Sequence, residues 1–174
     1  SDADGLSNVH YVQFPEQTYS VYPESNVDFE TNLLRLRYSS LITPFTIVDV
    51  HMDTGEWNVK KEEVIHGLDK KNYVMERIHA TAPDGTQVPL SIAYRKDLQK
   101  KDSSNPALMY GYGSYGATID PYFDSNRFSL IDRGFVYAIA HIRGGYDMGR
   151  EWYEKGKMEF KRNSFTDFIA CGEH

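Results

Sequence analysis

The densest group of residues able to do chemistry is Tyr110-Gly111-Tyr112-Gly113-Ser114-Tyr115-Gly116. Its glycines at 111, 113 and 116 reproduce the G-x-G-x-x-G spacing by which a loop cradles pyrophosphate at the start of a helix. The next residues, Ala117-Thr118-Ile119-Asp120-Pro121, do not suit that use, because Pro121 would break the helix that the phosphate needs. Ser114 invites a second reading, as a nucleophile. The strained turn that presents such a serine reads G-x-S-x-G, however, and position 112 is tyrosine. No other segment supplies the motif, so the sequence offers no nucleophilic serine and no catalytic triad. A third use starts from position. Glycines after a buried strand let the backbone turn sharply at the C-terminal edge of an α/β sheet, where ligands bind. Tyr112 can there donate its phenol proton to an oxyanion, or it can pack as one ring of an aromatic turn.

Other reactive residue types contribute less. Cys171 is the single cysteine, with neither a base nor a suitable turn beside it, and it reads as a small core residue of a helix. One cysteine allows no intramolecular disulfide, so a reducing compartment, the cytoplasm, is the expectation. The six histidines (10, 51, 66, 79, 141 and 174) have no zinc-ligand spacing. No metal or other cofactor is expected.

The elements that must position the glycine loop come in two textures that meet near residue 70. Residues 1–66 hold short β-type runs separated by turns: Val9–Phe14, Leu33–Tyr38, Thr46–Val50 and Glu56–Val59, the last two joined by Asp53-Thr54-Gly55. This is propeller-like spacing with too few strands for a closed ring, and alone it would leave unpaired, sticky strand edges. Residues 67–72 form a polar connector, and a hairpin of Tyr73–Ala82 and Gln87–Arg95 turns at Pro83-Asp84-Gly85. A polar loop covers Asp97–Asn105. Beyond it, Pro106–Tyr110 and Gly134–Ile142 are continuous apolar runs, as in strands buried on both faces. Between them Ser125–Arg133 suits a helix with Phe128, Leu130 and Ile131 inward. Ser164 with Asp167 three residues on predicts a capped helix start. Trp152 and Tyr153 read as packing anchors, and Arg143 as an organiser of neighbouring loops through carboxylates.

Composition limits the alternatives. A chain of 174 residues with 40% hydrophobic and 25% charged residues is globular rather than disordered, and 13 tyrosines with 9 phenylalanines suit strand-rich structure. A net charge of −6 argues against nucleic acid as a partner. No apolar run approaches the ~20 residues that span a bilayer, and no signal-peptide pattern opens the chain, so no membrane partner is expected. The chain lacks an initial Met and stops inside an expected helix, which predicts a piece of a longer polypeptide.

Several blocks occur in an order that resembles the prolyl oligopeptidase family of serine peptidases, in particular its oligopeptidase B branch. They are Tyr110–Gly116, Leu130–Val136, Ala140–Gly145, Met148–Tyr153 and Asn163–Ala170, with Tyr38–Pro44 similar to that branch's last propeller stretch. The resemblance covers roughly residues 35–174. It implies a mixed fold: the last β-propeller strands in residues 1–66, then the N-terminal part of an α/β-hydrolase catalytic domain in 67–174. It implies that Tyr112 is a side-chain oxyanion donor and that Tyr115 either lines the substrate cleft or packs beneath the loop. It places Asp120 at the first of two acidic positions linked to a basic-residue subsite, while the second is Tyr122, a departure from the pattern. Tyr146-Asp147 likewise replaces the Gly-Glu that follows Arg143-Gly144-Gly145 in the family. The implied activity of the intact parent is endopeptidase cleavage of peptides after Arg or Lys. This chain's partners are then basic peptides and the remainder of the parent polypeptide, and alone it would be inactive. Another branch of the family, or a noncatalytic module binding through the propeller face, are the alternatives.

Overall fold

The computed structural model describes residues 11–100, 102 and 104–174. Its strands form two four-stranded sheets. The first is an antiparallel meander of β1 (Ser20–Pro23), β2 (Leu33–Ser39), β3 (Thr46–His51) and β4 (Trp57–Glu62), in that order. Alternation places Leu36, Val48 and Val50 on one buried face, closed by Val12, Phe14, Val21, Leu34 and Trp57. Phe14 stacks on Tyr38 with ring centroids 5.2 Å apart. The strand expected over Val9–Phe14 does not form across Tyr11–Phe14, where the chain is irregular, and Val9 and His10 lie outside the described residues. Those apolar residues instead cover the sheet. The strand that does form there, β1, ends in Pro23, which cannot donate to a ladder and so suits an edge.

The second sheet runs in the order β5-β6-β8-β7, from β5 (Tyr73–Thr81), β6 (Gln87–Arg95), β7 (Ala107–Tyr110) and β8 (Val136–Ala140). β5 and β6 form the expected hairpin. Its turn is closed by Gly85 N–H to Ala82 O at 2.8 Å and by the Asp84 carboxylate accepting from Thr86 N–H at 3.1 Å. Gly85 has φ +84°, a conformation L side chains rarely adopt. β7 and β8 are parallel and joined through α1 (Ser125–Ile131), while β6 and β8 are antiparallel.

Helices lie on both faces of this sheet, and the side-chain alternation of its strands separates the two cores. Tyr73, Ala93, Tyr137 and Ile139 face α1 through Phe128 and Ile131. Ala80, Val88, Leu90 and Ala140 face the other way, toward α3 (Arg162–Glu173) and its Cys171 and Phe168. A short helix, α2 (Arg150–Glu154), contributes Trp152 to the second core.

Three expectations need correction. β7 is largely exposed, not buried on both faces, because it has β8 on one side and no described strand on the other. Leu130 is only half-buried. Phe128 and Ile131, three residues apart, share the inward side of α1, and Leu130 is turned away from it. Ser164 does not cap α3. The helix starts at Arg162, and both Ser164 and Asp167 point into the protein, where other backbone and side-chain groups use them.

The two sheets meet along a polar seam. Thr18 Oγ1 lies 2.8 Å from Ser91 Oγ, Phe123 N–H donates to Ser39 Oγ at 2.8 Å, and Tyr22 Oη donates to the Asp120 carboxylate. Leu41, from the β2–β3 turn, completes the α1-side core of the second sheet.

Candidate active site

The glycine loop leaves the C-terminal end of β7, and its glycines answer to measurable crowding. A Cβ on Gly111 would sit 3.1 Å from both the Ala140 carbonyl oxygen and the Phe168 ring. On Gly113, at φ +60°, it would come within 2.6 Å of Ile142 Cγ1. The loop therefore lies flat on β8 and α3 while the intervening Tyr112 projects outward. Tyr112 is 46% exposed and its hydroxyl makes no hydrogen bond to a described residue. It lines an open cleft of about 340 Å³ with Ser114, Lys161, Phe165 and Phe168. Its phenol is thus a free donor at the sheet's carboxyl edge.

Tyr115 has φ +56° and is 89% exposed. No described residue covers its ring. It faces an adjoining cleft of about 420 Å³ with Tyr153, Lys157 and Met158. Ser114 borders both clefts, and its hydroxyl is 2.7 Å from Lys161 Nζ. Asp120 is not in either of them. It is half-buried and accepts the Tyr22 hydroxyl, which pushes the Tyr22 phenol up to about 12. Asp120 instead edges two other openings, one of about 630 Å³ with Tyr110, Tyr122 and Arg127, and one of about 280 Å³ with Arg77, His141 and Asp147. Tyr122 meets a cation of the chain itself: Arg127 lies 4.9 Å from its ring centroid.

Beneath the loop sits a buried ion pair. Arg143 donates to Asp167 through Nε at 2.8 Å, Nη2 at 2.6 Å and its backbone N–H at 3.0 Å, and to Asp84 through Nη1 at 2.6 Å. The hydrogen bond from Arg143 holds the Asp84 carboxyl down to about 2, and its bonds to Asp167, foremost, raise Arg143 above its ordinary range. The arginine thereby fastens the β5–β6 turn and α3 to the end of β8, as expected of an organiser of loops. Trp152 donates Nε1–H to the His141 carbonyl at 2.9 Å, so it anchors α2 by hydrogen bond as well as by packing.

One array escaped the sequence reading. Ser91 Oγ lies 2.8 Å from His141 Nε2, and His141 Nδ1 lies 3.0 Å from Asp147 Oδ1. This is the connectivity of a Ser-His-Asp triad without its access: Ser91 is fully buried and its hydroxyl is also engaged with Thr18. A peptide carbonyl could not reach it. The array ties β6, β8 and the 117–120 segment together, the last through Ile119 N–H to Asp147 at 3.3 Å. His141 and Asp147 are six residues apart, but Ser91 and Thr18 lie too far from them in sequence for spacing to have revealed the array. Among the described residues no group of three or more His, Cys, Asp or Glu could hold a metal ion.

Comparison with known proteins places this arrangement. Residues 121–174 match the sequence profile of the prolyl oligopeptidase family. Dipeptidyl aminopeptidase BI of Pseudoxanthomonas mexicana is 47% identical over 99% of this chain and 24% of its own length. Protease 2 of Moraxella lacunata is 38% identical over 94% of the chain and again 24% of its own length. Among solved structures, oligopeptidase B from Trypanosoma brucei with covalently bound antipain superposes with a TM-score of 0.82 at 46% identity, covering 94% of this chain and 23% of that one. The chain thus spans 24% of the length of these curated relatives. On the ordered blocks and the shared mixed α/β framework, this chain is similar over nearly its whole length to members of the prolyl oligopeptidase family of serine peptidases, and residues 121–174 carry that family's profile.

Proposed function

We propose that the chain is the part of a serine endopeptidase that contributes the side-chain oxyanion donor, Tyr112, and one carboxylate for a basic substrate residue, Asp120. Residues 1–66 are then the end of a β-propeller, and residues 67–174 the opening of an α/β-hydrolase domain. The nucleophile, its histidine and its aspartate come from the rest of the parent polypeptide. The observation that carries this reading is the unpartnered phenol of Tyr112, on a crowded glycine loop at the carboxyl edge of β7. A fixed donor of this kind stabilises the tetrahedral intermediate more than the ground state, which lowers the barrier without tightening substrate binding. Tyr115, exposed beside it, is placed to touch substrate. The intact parent cleaves after Arg or Lys, the specificity that the resemblance of the sequence blocks implies, and the similarity to peptidases supports peptides as its substrates.

In the full-length protein Tyr112→Phe lowers kcat by about 10²- to 10³-fold with little change in KM. An unchanged kcat removes Tyr112 from the mechanism. The relative named dipeptidyl aminopeptidase BI points to a second reading, in which the charge that Asp120 meets is a substrate's α-ammonium group. Rates on N-terminally blocked and free peptides of one sequence separate the two. An endopeptidase accepts the blocked peptide, and the second reading requires that it be refused.

A further inference from the structure

Tyr112 can act as a preorganised donor only if something holds its loop still. The backbone offers little for that purpose. Gly113, Tyr115 and Gly116 all have positive φ, and the hydrogen bonds that brace the loop from outside strands are Gly116 N–H to Gly144 O and Ala117 N–H to Ser114 O, both 3.0 Å and both after Tyr112. The fastening nearest Tyr112 comes from a side chain 48 residues away. Lys161 Nζ donates to the Gly113 carbonyl, to Ser114 Oγ at 2.7 Å and to Ser164 Oγ at 3.1 Å. An ammonium has three protons, and here three acceptors match them.

Ser164 is itself fixed, donating to the Arg143 carbonyl at 2.5 Å, so the lysine bridges the loop to the end of β8 and the first turn of α3. A lysine on a solvated face would extend outward or pair with a carboxylate. Lys161 does neither: it turns into the protein against neutral acceptors and makes no ion pair with a described residue. Burial holds its amine below the ordinary lysine range, so the position costs solvation that an exposed rotamer would have avoided.

We infer that Lys161 is a positioning residue for the oxyanion site, clamping the Gly113–Ser114 segment so that the Tyr112 hydroxyl is held where the tetrahedral oxygen forms. The inference rests on the oxyanion reading of Tyr112 and adds to it the group that sets the donor's place. Without the clamp the Gly113 carbonyl keeps only its longer 3.2 Å contact with Ser164 Oγ, so Gly113 can shift on its tight seat against Ile142 and Tyr112 moves with it. A donor displaced by about 1 Å costs on the order of 10²-fold in rate.

The test is a double-mutant cycle in the full-length protein with an arginyl reporter peptide. Lys161→Met lowers kcat by roughly 10- to 100-fold and changes KM by less than about twofold. In the Tyr112→Phe background the same substitution lowers kcat by less than about threefold, because the group it positions is already gone. Equal losses in both backgrounds, or no loss in the parent background, overturn the inference. If Lys161→Met does not yield folded protein, Lys161→Gln takes its place in the cycle, since its shorter side chain with two N–H donors cannot serve all three acceptors. The same two outcomes then decide. A Tyr112→Phe enzyme with undiminished kcat defeats the oxyanion reading itself. A slow Tyr112→Phe enzyme with additive Lys161 losses defeats only the clamp.

Discussion

Asp167→Asn is the sharpest test of how the site is supported. The Asp167 side chain is 0% exposed and that of Arg143 3%, so neither charge has water to fall back on. One carboxylate oxygen accepts the Arg143 backbone N–H and Nε–H, and the other accepts Nη2–H. An asparagine can keep the first oxygen in place. Its amide nitrogen then faces Nη2 as donor against donor, and the arginine loses its buried counter-charge. Breaking a buried pair from one side costs about 3–5 kcal/mol. The remaining partner, Asp84, has a side chain 47% exposed and gives little compensation. Urea unfolding of the full-length protein and its variant, followed on a probe in this sheet, should show that loss as a lower midpoint at constant slope. Asp84→Asn is the control and should cost no more than about 1 kcal/mol at neutral pH. Its contribution has a definite pH window. Asp84 has a folded value of about 2, against roughly 3.9 unfolded, so its stabilisation is present above pH ~4 and is lost as the pH falls through about 2. A loss below about 1 kcal/mol for Asp167→Asn would refute the claim that this pair carries the loop and α3.

Other outcomes follow from the same geometry. Gly113→Ala combines a positive φ with a 2.6 Å approach to Ile142, and should cost about 2–4 kcal/mol and most of the activity, whereas Gly85→Ala, with open space around it, should cost about 1–2 kcal/mol and leave kcat alone. Equal stability losses would show that the loop is not seated on β8. Tyr22→Phe frees the Asp120 carboxylate and should lower KM for dibasic substrates, while Asp120→Asn should raise it more for dibasic than for monobasic ones; matching effects on both substrate types would exclude Asp120 from recognition. Cys171 is buried, and burial first, then the charge of Asp167, pushes its thiol up to about 12, so a thiol reagent at pH 8 should label it only after denaturation. Rapid labelling of native protein would contradict the packing of α3.

What could be read from the sequence was local. The hairpin of β5 and β6 follows from alternation on either side of Pro83-Asp84-Gly85, and the observed bounds differ from expectation only at Ala82. The glycine loop was legible for the same reason: it is one contiguous run, and its crowding against Ile142 and Phe168 explains why the run is glycine-rich. What was missed depends on contacts between distant residues. β7 carries the apolar composition of a central strand, yet its exposure is set by which strand lies beside it, a fact absent from its own residues. Ser164 and Asp167 have cap spacing, but both side chains bond to Arg143, just past β8, and the helix begins earlier. Tyr22 reaches Asp120 across 98 residues and Lys161 reaches Ser114 across 47, so no spacing rule could have joined them.

The bond between Tyr22 and Asp120 has a thermodynamic consequence. It is one of the few polar stitches across the seam between the two sheets, along with Thr18 to Ser91 and Phe123 to Ser39. A cation that takes the Asp120 oxygen now bonded by the Tyr22 hydroxyl displaces that hydroxyl, and so removes a stitch. By reciprocity, any motion that parts the sheets uncovers that carboxylate and strengthens its hold on a cation by the same free energy. Occupancy of Asp120 and separation of the two sheets are therefore linked variables, and the measured affinity of one reports on the equilibrium of the other.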